Sequence, residues 1–451
     1  MNVLSGSNLL SWPFLPLSAQ AEEERLRWWR ACYYPGIAEA VGELTGWRVV
    51  TGAKGSGKSV LLAALERRER ETTFIIEYPP EKWAGKPQCW IPQGNHFAQI
   101  MAGAAWQLRE TLLTAHERAS ALSEVHYEFL RWLVEKYLGE RVFRSWTGGL
   151  PSDLAKKFPA EPTEDFFPST TQLLDVQGQV DELVSVARRL GYQRVLVVSD
   201  VDRKTARESV YAIESLFSLT EVIQHPGFSV LVALPLESLT EASVVERARG
   251  RVSVLFMRWE AEEVWALMRQ YLQTALEDET KVEQSLAIVE KTFEKTLLEG
   301  YGAYLPTGWI ALAETMAYLV RHKRLSWPVR ENDVPVLERE FYIRHIPIQV
   351  DAQAHGVWRG KHFIQLQEQL VAFLEVLSHT PGKSVHLEHA HLSSVAKTKN
   401  NLHSLASRTR KQIEPFPKDP IYLQHDEDGY RLEHVVRFDR LMTDSRREFS
   451  G

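Results

Sequence analysis

Cysteine is nearly absent: only Cys32 and Cys89 carry a thiol in 451 residues. Two thiols make neither a disulfide framework nor a zinc cluster. They suit a reducing compartment, so a cytoplasmic location is expected. Long apolar runs are also missing. None reaches the roughly 18 residues a membrane-spanning helix needs, so no membrane partner is expected. Neither sign of charge dominates, with 53 Lys and Arg against 59 Asp and Glu for a net charge of -6. Overall charge therefore gives no hint of nucleic acid, and any such hint has to come from a local patch. No repeat and no low-complexity tract stands out. A cleaved leader is not expected: Ala19-Gln20-Ala21 has the small-residue pattern of a cleavage site, but no Lys or Arg precedes it and Pro13 and Pro16 break the apolar stretch. What remains is ordinary globular composition, 44% apolar and 25% charged. The length suits two or three domains of ~150 residues.

Apolar periodicity gives the order of elements. Residues 47–51 read as a short buried strand, 59–70 as a helix and 72–77 as a second strand. Residues 96–138 read as mostly helical, and 139–171, rich in Pro, Gly and Ser, as a loop or linker. An amphipathic helix over 173–190 stops at Gly191, and 194–198 is a β-branched strand. A helix over 207–224 and strands over 228–234 and 253–257 follow. Strands alternating with helices imply a parallel sheet covered on both faces. After Trp259 the strands stop, and 260–276, 282–298 and 309–322 read as three helices. Residues 325–360 show little period and read as a joining segment.

One motif is specific by itself. Gly52-Ala53-Lys54-Gly55-Ser56-Gly57-Lys58-Ser59 fits G-x-x-x-x-G-K-[ST] in full, with a strand before it and a helix after. Glycines let successive N–H groups turn toward an anion, and the helix start adds its positive dipole end. Lys58 supplies charge to the β- and γ-phosphates, and the Ser59 hydroxyl suits Mg2+. ATP and Mg2+ are the expected ligands.

An acidic element is expected on a neighbouring strand, and Val195-Leu196-Val197-Val198-Ser199-Asp200-Val201-Asp202-Arg203 is the candidate. The usual order is four apolar residues and then Asp. Here Ser199 holds that slot, and carboxylates follow at Asp200 and Asp202. Two readings stay open: Asp200 joins Ser59 at the metal, or Asp200 is the base and the metal-side acid is missing. Asp202 is a second acid or a helix N-cap. Nucleotide binding is thus read more directly than hydrolysis. The strand over 228–234 runs into Pro235 with no polar sensor, which counts against fast turnover. Arg247, Arg249 and Arg251 form either a γ-phosphate contact, in the same or a neighbouring subunit, or a solvated turn. Trp28, Trp29, Tyr33 and Tyr34 either wall an adenine or belong to the core.

These residues resemble P-loop ATPases of the AAA+ and STAND sort, including origin-recognition-like and KAP-like members, over roughly residues 12–323. Trp12-Pro13-Phe14 followed by Ala21-Glu22 looks like the N-terminal signature of such ATPases. Ser199-Asp200-Val201-Asp202-Arg203 looks like the D-D-L-D-R segment of KAP-like members, with Ser in the first slot. The resemblance implies that the three helices after Trp259 form a lid over the nucleotide. It also implies a nucleotide-sensing residue in the last of these helices, into which 301–307 leads.

The last block reads as its own unit. An amphipathic helix over 363–379, a short helix over 385–395 and a third over 400–414 precede a hairpin, 421–423 and 430–432, around a polar turn. This is a winged-helix layout. Ser407-Arg408-Thr409-Arg410-Lys411-Gln412-Ile413-Glu414 resembles the OmpR-type recognition helix S-R-L-R-K-K-L-E, and Asp428-Gly429-Tyr430-Arg431-Leu432 resembles its wing ending. Six basic residues, Lys383, Lys397, Lys399, Arg408, Arg410 and Lys411, meet one acid there, Glu388. Lys397, Lys399, Arg408, Arg410 and Lys411 suit phosphates, and Asn400, His403, Ser404 and Ser407 suit base edges or backbone. Against DNA stand Asp426, Glu427 and Asp428 in the wing, which favour a protein contact.

The expected fold class is α/β, a P-loop NTPase parallel sheet with a helical lid, followed by a C-terminal winged-helix domain. The expected boundaries are 1–258 for the ATPase sheet, 259–325 for the lid, 326–360 for a linker, 361–440 for the winged helix and 441–451 for a tail. The expected function is an ATP-binding and ATP-hydrolysing switch that associates with double-stranded DNA, of the replication, transposition or defence type, with Asp200 and Asp202 as the catalytic candidates. A protein of the same operon or a second copy of this chain is the expected protein partner. Two rivals are a STAND-type scaffold that oligomerises on ATP and uses the winged helix for protein contacts, and an ATP-sensing transcription regulator.

Overall fold

The computed structural model describes residues 46–53, 55–80, 93–159, 173–201, 210–236, 238, 251–276, 278–301, 304–379, 382–385, 392–427, 429–433 and 436–438. Lys54, Asp202, Arg247, Arg249, Asp428, the aromatics Trp28 to Tyr34 and the Trp12-Pro13-Phe14 signature lie outside them. The chain divides into two compact units, Tyr33–Arg258 and a second that holds Trp259–Gly451.

Five parallel strands form the first unit's sheet. They are β1 (Trp47–Gly52), β2 (Thr73–Glu77), β3 (Arg194–Asp200), β4 (Phe228–Pro235) and β5 (Val252–Phe256), in the order β2-β3-β4-β1-β5. Strand alternation gives the sheet two apolar faces. Helix α1 (Lys58–Glu69) covers one of them: its Leu61, Leu62 and Leu65 pack with Val50, Leu196, Leu231 and Ala233. Each leucine is buried, which stabilises the seat of α1 by about 2 kcal/mol apiece. The other face carries Val49, Val195, Val197, Val230 and Val232. It packs against α2 (Gln93–Thr114), α6 (Leu173–Arg189) and α7 (Val210–Ser218). Between α2 and α6 the chain adds α3 (Glu124–Leu138), α4 (Glu140–Thr147) and α5 (Ser152–Ala155).

Helices α4 and α5 occupy much of the stretch read as a loop. Gly139 at φ 96 stops α3 and starts α4, which has only eight residues, too few to show a period. What holds α4 is an aromatic cluster: Phe143 and Trp146 each meet Phe158 edge-on, at 5.7 and 5.2 Å between ring centres.

The second unit opens with α8 (Ala261–Leu276), α9 (Glu279–Tyr301), α10 (Pro306–Arg321) and α11 (Val334–His345). Then come β6 (Ile348–Asp351), β7 (Gly356–Arg359) and β8 (His362–Gln365), an antiparallel meander. Helices α12 (Glu368–Ser378), α13 (Leu392–Val395) and α14 (Lys399–Ile413) follow. The hairpin of β9 (Leu423–Asp426) and β10 (Gly429–Leu432) comes next, and β11 (Val436–Phe438) lies parallel to β6.

Residues 326–360, expected as a linker, contain α11, β6 and β7. Four-residue strands give too few alternations to register, and α11 buries only Val334, Leu337, Phe341 and Tyr342. Residues 363–365, read as the start of a helix, belong to strand β8. Of the expected second helix, 386–391 lie outside the described residues; α13 is helical, and Val385 bridges to Tyr430. A single apolar core runs from Val264 in α8 to Leu432 in β10. At one seam Gly360 has φ +61, and a Cβ there would sit 2.6 Å from the Gly300 backbone, so only glycine fits.

Candidate nucleotide-binding site

The loop between β1 and α1 is shaped by two glycines with positive φ, Gly55 at 87 and Gly57 at 89. Left-handed backbone at such positions turns consecutive N–H groups toward one side, which is the geometry of an anion nest. Ser56 N–H donates to the Ala53 carbonyl at 3.1 Å and closes the turn. Helix α1 begins at Lys58 with Gly57 as N-cap, without a side-chain cap and without an acidic residue in its first turn. The helix therefore supplies neither a capping side chain nor a first-turn acid of its own to its positive end. The Lys58 ammonium folds over the loop and donates to the carbonyls of Gly52 at 2.9 Å and Ala53 at 3.1 Å. Gly52 to Ser59, Lys54 excepted, are therefore gathered into one turn whose cation is already held above it. Ser59 is exposed beside it.

Strand β3 decides how the acidic segment is registered. Asp200 pairs with Ala233 of β4, and Ala233 with Val50 of β1, so Asp200 stands at the carboxyl end of the sheet. Leu196 and Val198 pack on the α1 side, and alternation places Asp200 on that side too. Ser199 falls on the opposite face with Val195 and Val197, 1% exposed. Ser199 is thus the last buried residue of the strand, not a displaced acid. Asp200 is the first carboxylate, exposed, two strand spacings or ~10 Å across the sheet from β1. The Ser199 hydroxyl has no hydrogen-bond partner among the described residues. Burial without a partner costs free energy, so Ser199→Ala is expected to raise stability by about 1 kcal/mol and leave nucleotide affinity unchanged. Urea unfolding and an ATP titration on the same variant check both halves.

The sheet is five-stranded and parallel, with helices on both faces and the loop 52–59 leaving the carboxyl end of β1. No family model and no curated protein matches the chain. Among solved structures it is similar to the crystal structure of Cdc6p from Pyrobaculum aerophilum. That likeness has 12% identity over 95% of this chain and 94% of that chain, with a TM-score of 0.35. A likeness so distant leaves the chain's own geometry to carry the functional reading.

Sequence reasoning missed a buried polar pair on the face opposite α1. Tyr78 extends β2, its N–H donating to the Val198 carbonyl at 2.8 Å, and its hydroxyl meets His96 Nδ1 at 2.7 Å. Burial drives the His96 pKa down to about 4 and the Tyr78 pKa up. Nothing in a lone His within an apolar helix signals this; only the fold brings Tyr78 to it.

In the second unit α14 presents two sides. Thr398 caps it, its hydroxyl accepting from Asn401 N–H at 3.2 Å. Leu402, Leu405, Ala406, Thr409 and Ile413 are buried. Lys397, Lys399, Asn400, Ser404, Ser407, Arg408 and Lys411 are exposed. His403 and Arg410 are not on that outer stripe. His403 Nδ1 meets the Tyr430 hydroxyl at 2.6 Å, and Arg410 Nε donates to the Leu423 carbonyl at 2.9 Å, so both fasten α14 to the hairpin. Arg408 is exposed but donates to Gln367.

Just past α14, the buried Glu414 carboxylate accepts from the N–H groups of Ile421, Tyr422 and Leu423 at 2.7–2.8 Å. Asp426 is engaged by Arg431 at 3.0 Å and by Ser384 at 2.6 Å, leaving Glu427 as the exposed acid of the described turn. No described helix is long and apolar enough to cross a membrane.

Proposed function

We propose that the chain binds ATP with Mg2+ at the loop 52–59 and contacts duplex DNA through α14, as a nucleotide-operated switch. The observation that carries this reading is the Lys58 ammonium held over a nest of turned backbone at an uncapped helix start. Incoming phosphates offer that cation charged acceptors, which bind it more strongly than the neutral carbonyls of Gly52 and Ala53 do. Ser59 and Asp200 are the oxygen donors suited to Mg2+, a hard cation that keeps several of its waters. When bound, Mg2+ neutralises phosphate charge. Asp200 orients water or the metal's shell from the strand end, and hydrolysis is proposed as the slower consequence of binding. Asp202 and Lys54 remain part of the proposal from sequence alone.

The helix-helix-helix-hairpin segment is read as a winged helix. Its outward stripe of Lys397, Lys399, Asn400, Ser404, Ser407, Arg408 and Lys411 carries four cations and no acid. Three exposed cations of this stripe, Lys399, Arg408 and Lys411, decide the test. Reversing them to Glu is expected to lower duplex affinity by at least ~100-fold at low salt and to flatten its salt dependence. Fluorescence anisotropy against salt, with ATP turnover measured on the same sample, checks it; unchanged affinity removes DNA from the reading.

A second reading is a STAND-type scaffold in which this segment makes protein contacts. What favours it is the exposed Glu427 at the hairpin turn, a charge that repels a phosphate backbone. In that case ATP changes the oligomeric state in light scattering and DNA leaves it unchanged.

A further inference from the structure

Arg359 lies outside both the phosphate loop and the exposed stripe of α14. It lies at the end of β7, and its side chain is 13% exposed. Its guanidinium faces two ways. Nε donates to Glu299 Oε1 at 2.8 Å, and Nη2 donates to the same oxygen. Nη1 donates to the carbonyl of Ile413 at 3.0 Å. Glu299 belongs to α9, near its C-terminal end, and Ile413 is the last residue of α14. The last carbonyls of a helix lack intrahelical donors, so a cation that caps one fixes the helix end and complements its dipole.

Three further contacts brace the same joint. The Tyr342 hydroxyl of α11 donates to the other oxygen of Glu299 at 3.3 Å. The Tyr422 hydroxyl donates to the Ile346 carbonyl at 2.7 Å. Lys361 N–H donates to the Glu299 carbonyl at 3.1 Å, beside the close approach of Gly360 to Gly300. An open groove of about 550 Å³ lined by Lys295, Leu298 and His362 runs past Arg359, so one flank of the joint is unpacked.

We infer that Arg359 is a positioning residue that locks the end of α14 to α9, so that α14 follows any movement of the α8–α11 helices as one body. The inference rests on the reading of α14 as the DNA-contacting helix and of the loop 52–59 as the nucleotide site. It adds which side chain joins α14 to the helices that precede it.

The test uses the full chain and two variants, Arg359→Gln and the double change Arg359→Gln with Glu299→Gln. The double variant leaves no buried charge unpaired and keeps the fold if the single change does not. Duplex affinity is measured with and without Mg-ATP. The wild-type chain is expected to respond to nucleotide by fivefold or more, on the order of ordinary allosteric coupling. Both variants are expected to bind DNA within about twofold of wild type without nucleotide and to lose the response to it. A folded variant that keeps the response overturns the inference. A second measurement needs no DNA. With Cys32 and Cys89 changed to serine, nitroxide labels at Glu290 on α9 and Gln412 on α14 report one narrow distance. In the variants that distribution is expected to broaden, and an unchanged width overturns the lock. Failure of the wild-type chain to bind DNA counts against the proposed function, while the label distances still decide the role of Arg359.

Discussion

Lys58→Ala abolishes ATP binding. Its ammonium makes two hydrogen bonds to the loop carbonyls of Gly52 and Ala53, at a helix start with no other cap, and it is the cation placed over the nest. A hydrogen bond to a charged partner contributes about 1.5–3 kcal/mol, and a triphosphate offers the ammonium at least two oxygens. The loss is therefore expected to weaken binding by at least ~100-fold. Calorimetric titration with ATP reads it directly. The fold itself should hold, because Leu61, Leu62 and Leu65 seat α1 and Lys58 contributes nothing to that contact. A variant with an unchanged melting temperature and no measurable heat of binding is the expected outcome. Unchanged affinity would move the phosphates elsewhere.

Acid is expected to unfold the two units unequally. In the sheet unit His96 is buried and its pKa is lowered to about 4 by that burial. A histidine held neutral in the fold but free to protonate at ~6.5 when unfolded contributes stability above 6.5, lost as pH falls toward 4. At pH 5 the loss from this group is about 2 kcal/mol. Burial also lowers His126 and His225 in the same unit, which adds in the same direction, while the raised Glu66 opposes them.

The second unit contains a matching histidine, His345, lowered to about 4 by burial and by Arg344, and hydrogen-bonded to Thr315 at 3.0 Å. It also contains Glu314, whose carboxyl burial raises to about 7 against the pull of Arg344. A carboxyl raised in the fold gains stability as pH falls from 7 toward its unfolded value, so Glu314 offsets His345. Burial raises Glu338 and Glu414 as well. Moving from pH 7 to pH 5 should therefore lower the urea midpoint of Tyr33–Arg258 and leave that of the second unit nearly unchanged. Pulse proteolysis in urea, with fragments assigned by mass, separates the two. Equal losses in both units would refute the balance.

Much of the sheet was legible because β-branched runs and the phosphate loop impose local patterns. Val195 to Val198 can hardly be anything but a buried strand, and the turn at Gly55 and Gly57 is written in the motif. The short elements were not legible. Strands β6, β7 and β8 are each four residues long and owe their existence to partners across the meander. Helix α4 is eight residues long and owes its own to an aromatic cluster. At the candidate site, the ambiguity over Ser199 could not be removed from spacing alone. Pairing with β4 gave the row, and the packing of Leu196 and Val198 gave the face. On α14 the apolar side was readable from its period, but His403 and Arg410 looked outward until the hairpin supplied Tyr430 and the Leu423 carbonyl. Glu299 and Arg359 lie far apart in the chain, and no local pattern joins them.

The order of the strands carries a consequence for biosynthesis. Strand β1 pairs with β4 and β5 alone, and Trp47 meets Val230, roughly 180 residues further along, which a ribosome takes about 10–40 s to add. Strand β2 likewise waits for β3, with Thr73 and Arg194 separated by 121 residues. The nascent chain thus carries two unsatisfied, largely apolar strand segments while the rest of the sheet unit is being made, and α2 to α6 are free to assemble on their own. Chaperone dependence, and slow closure typical of non-local pairing, follow from that topology.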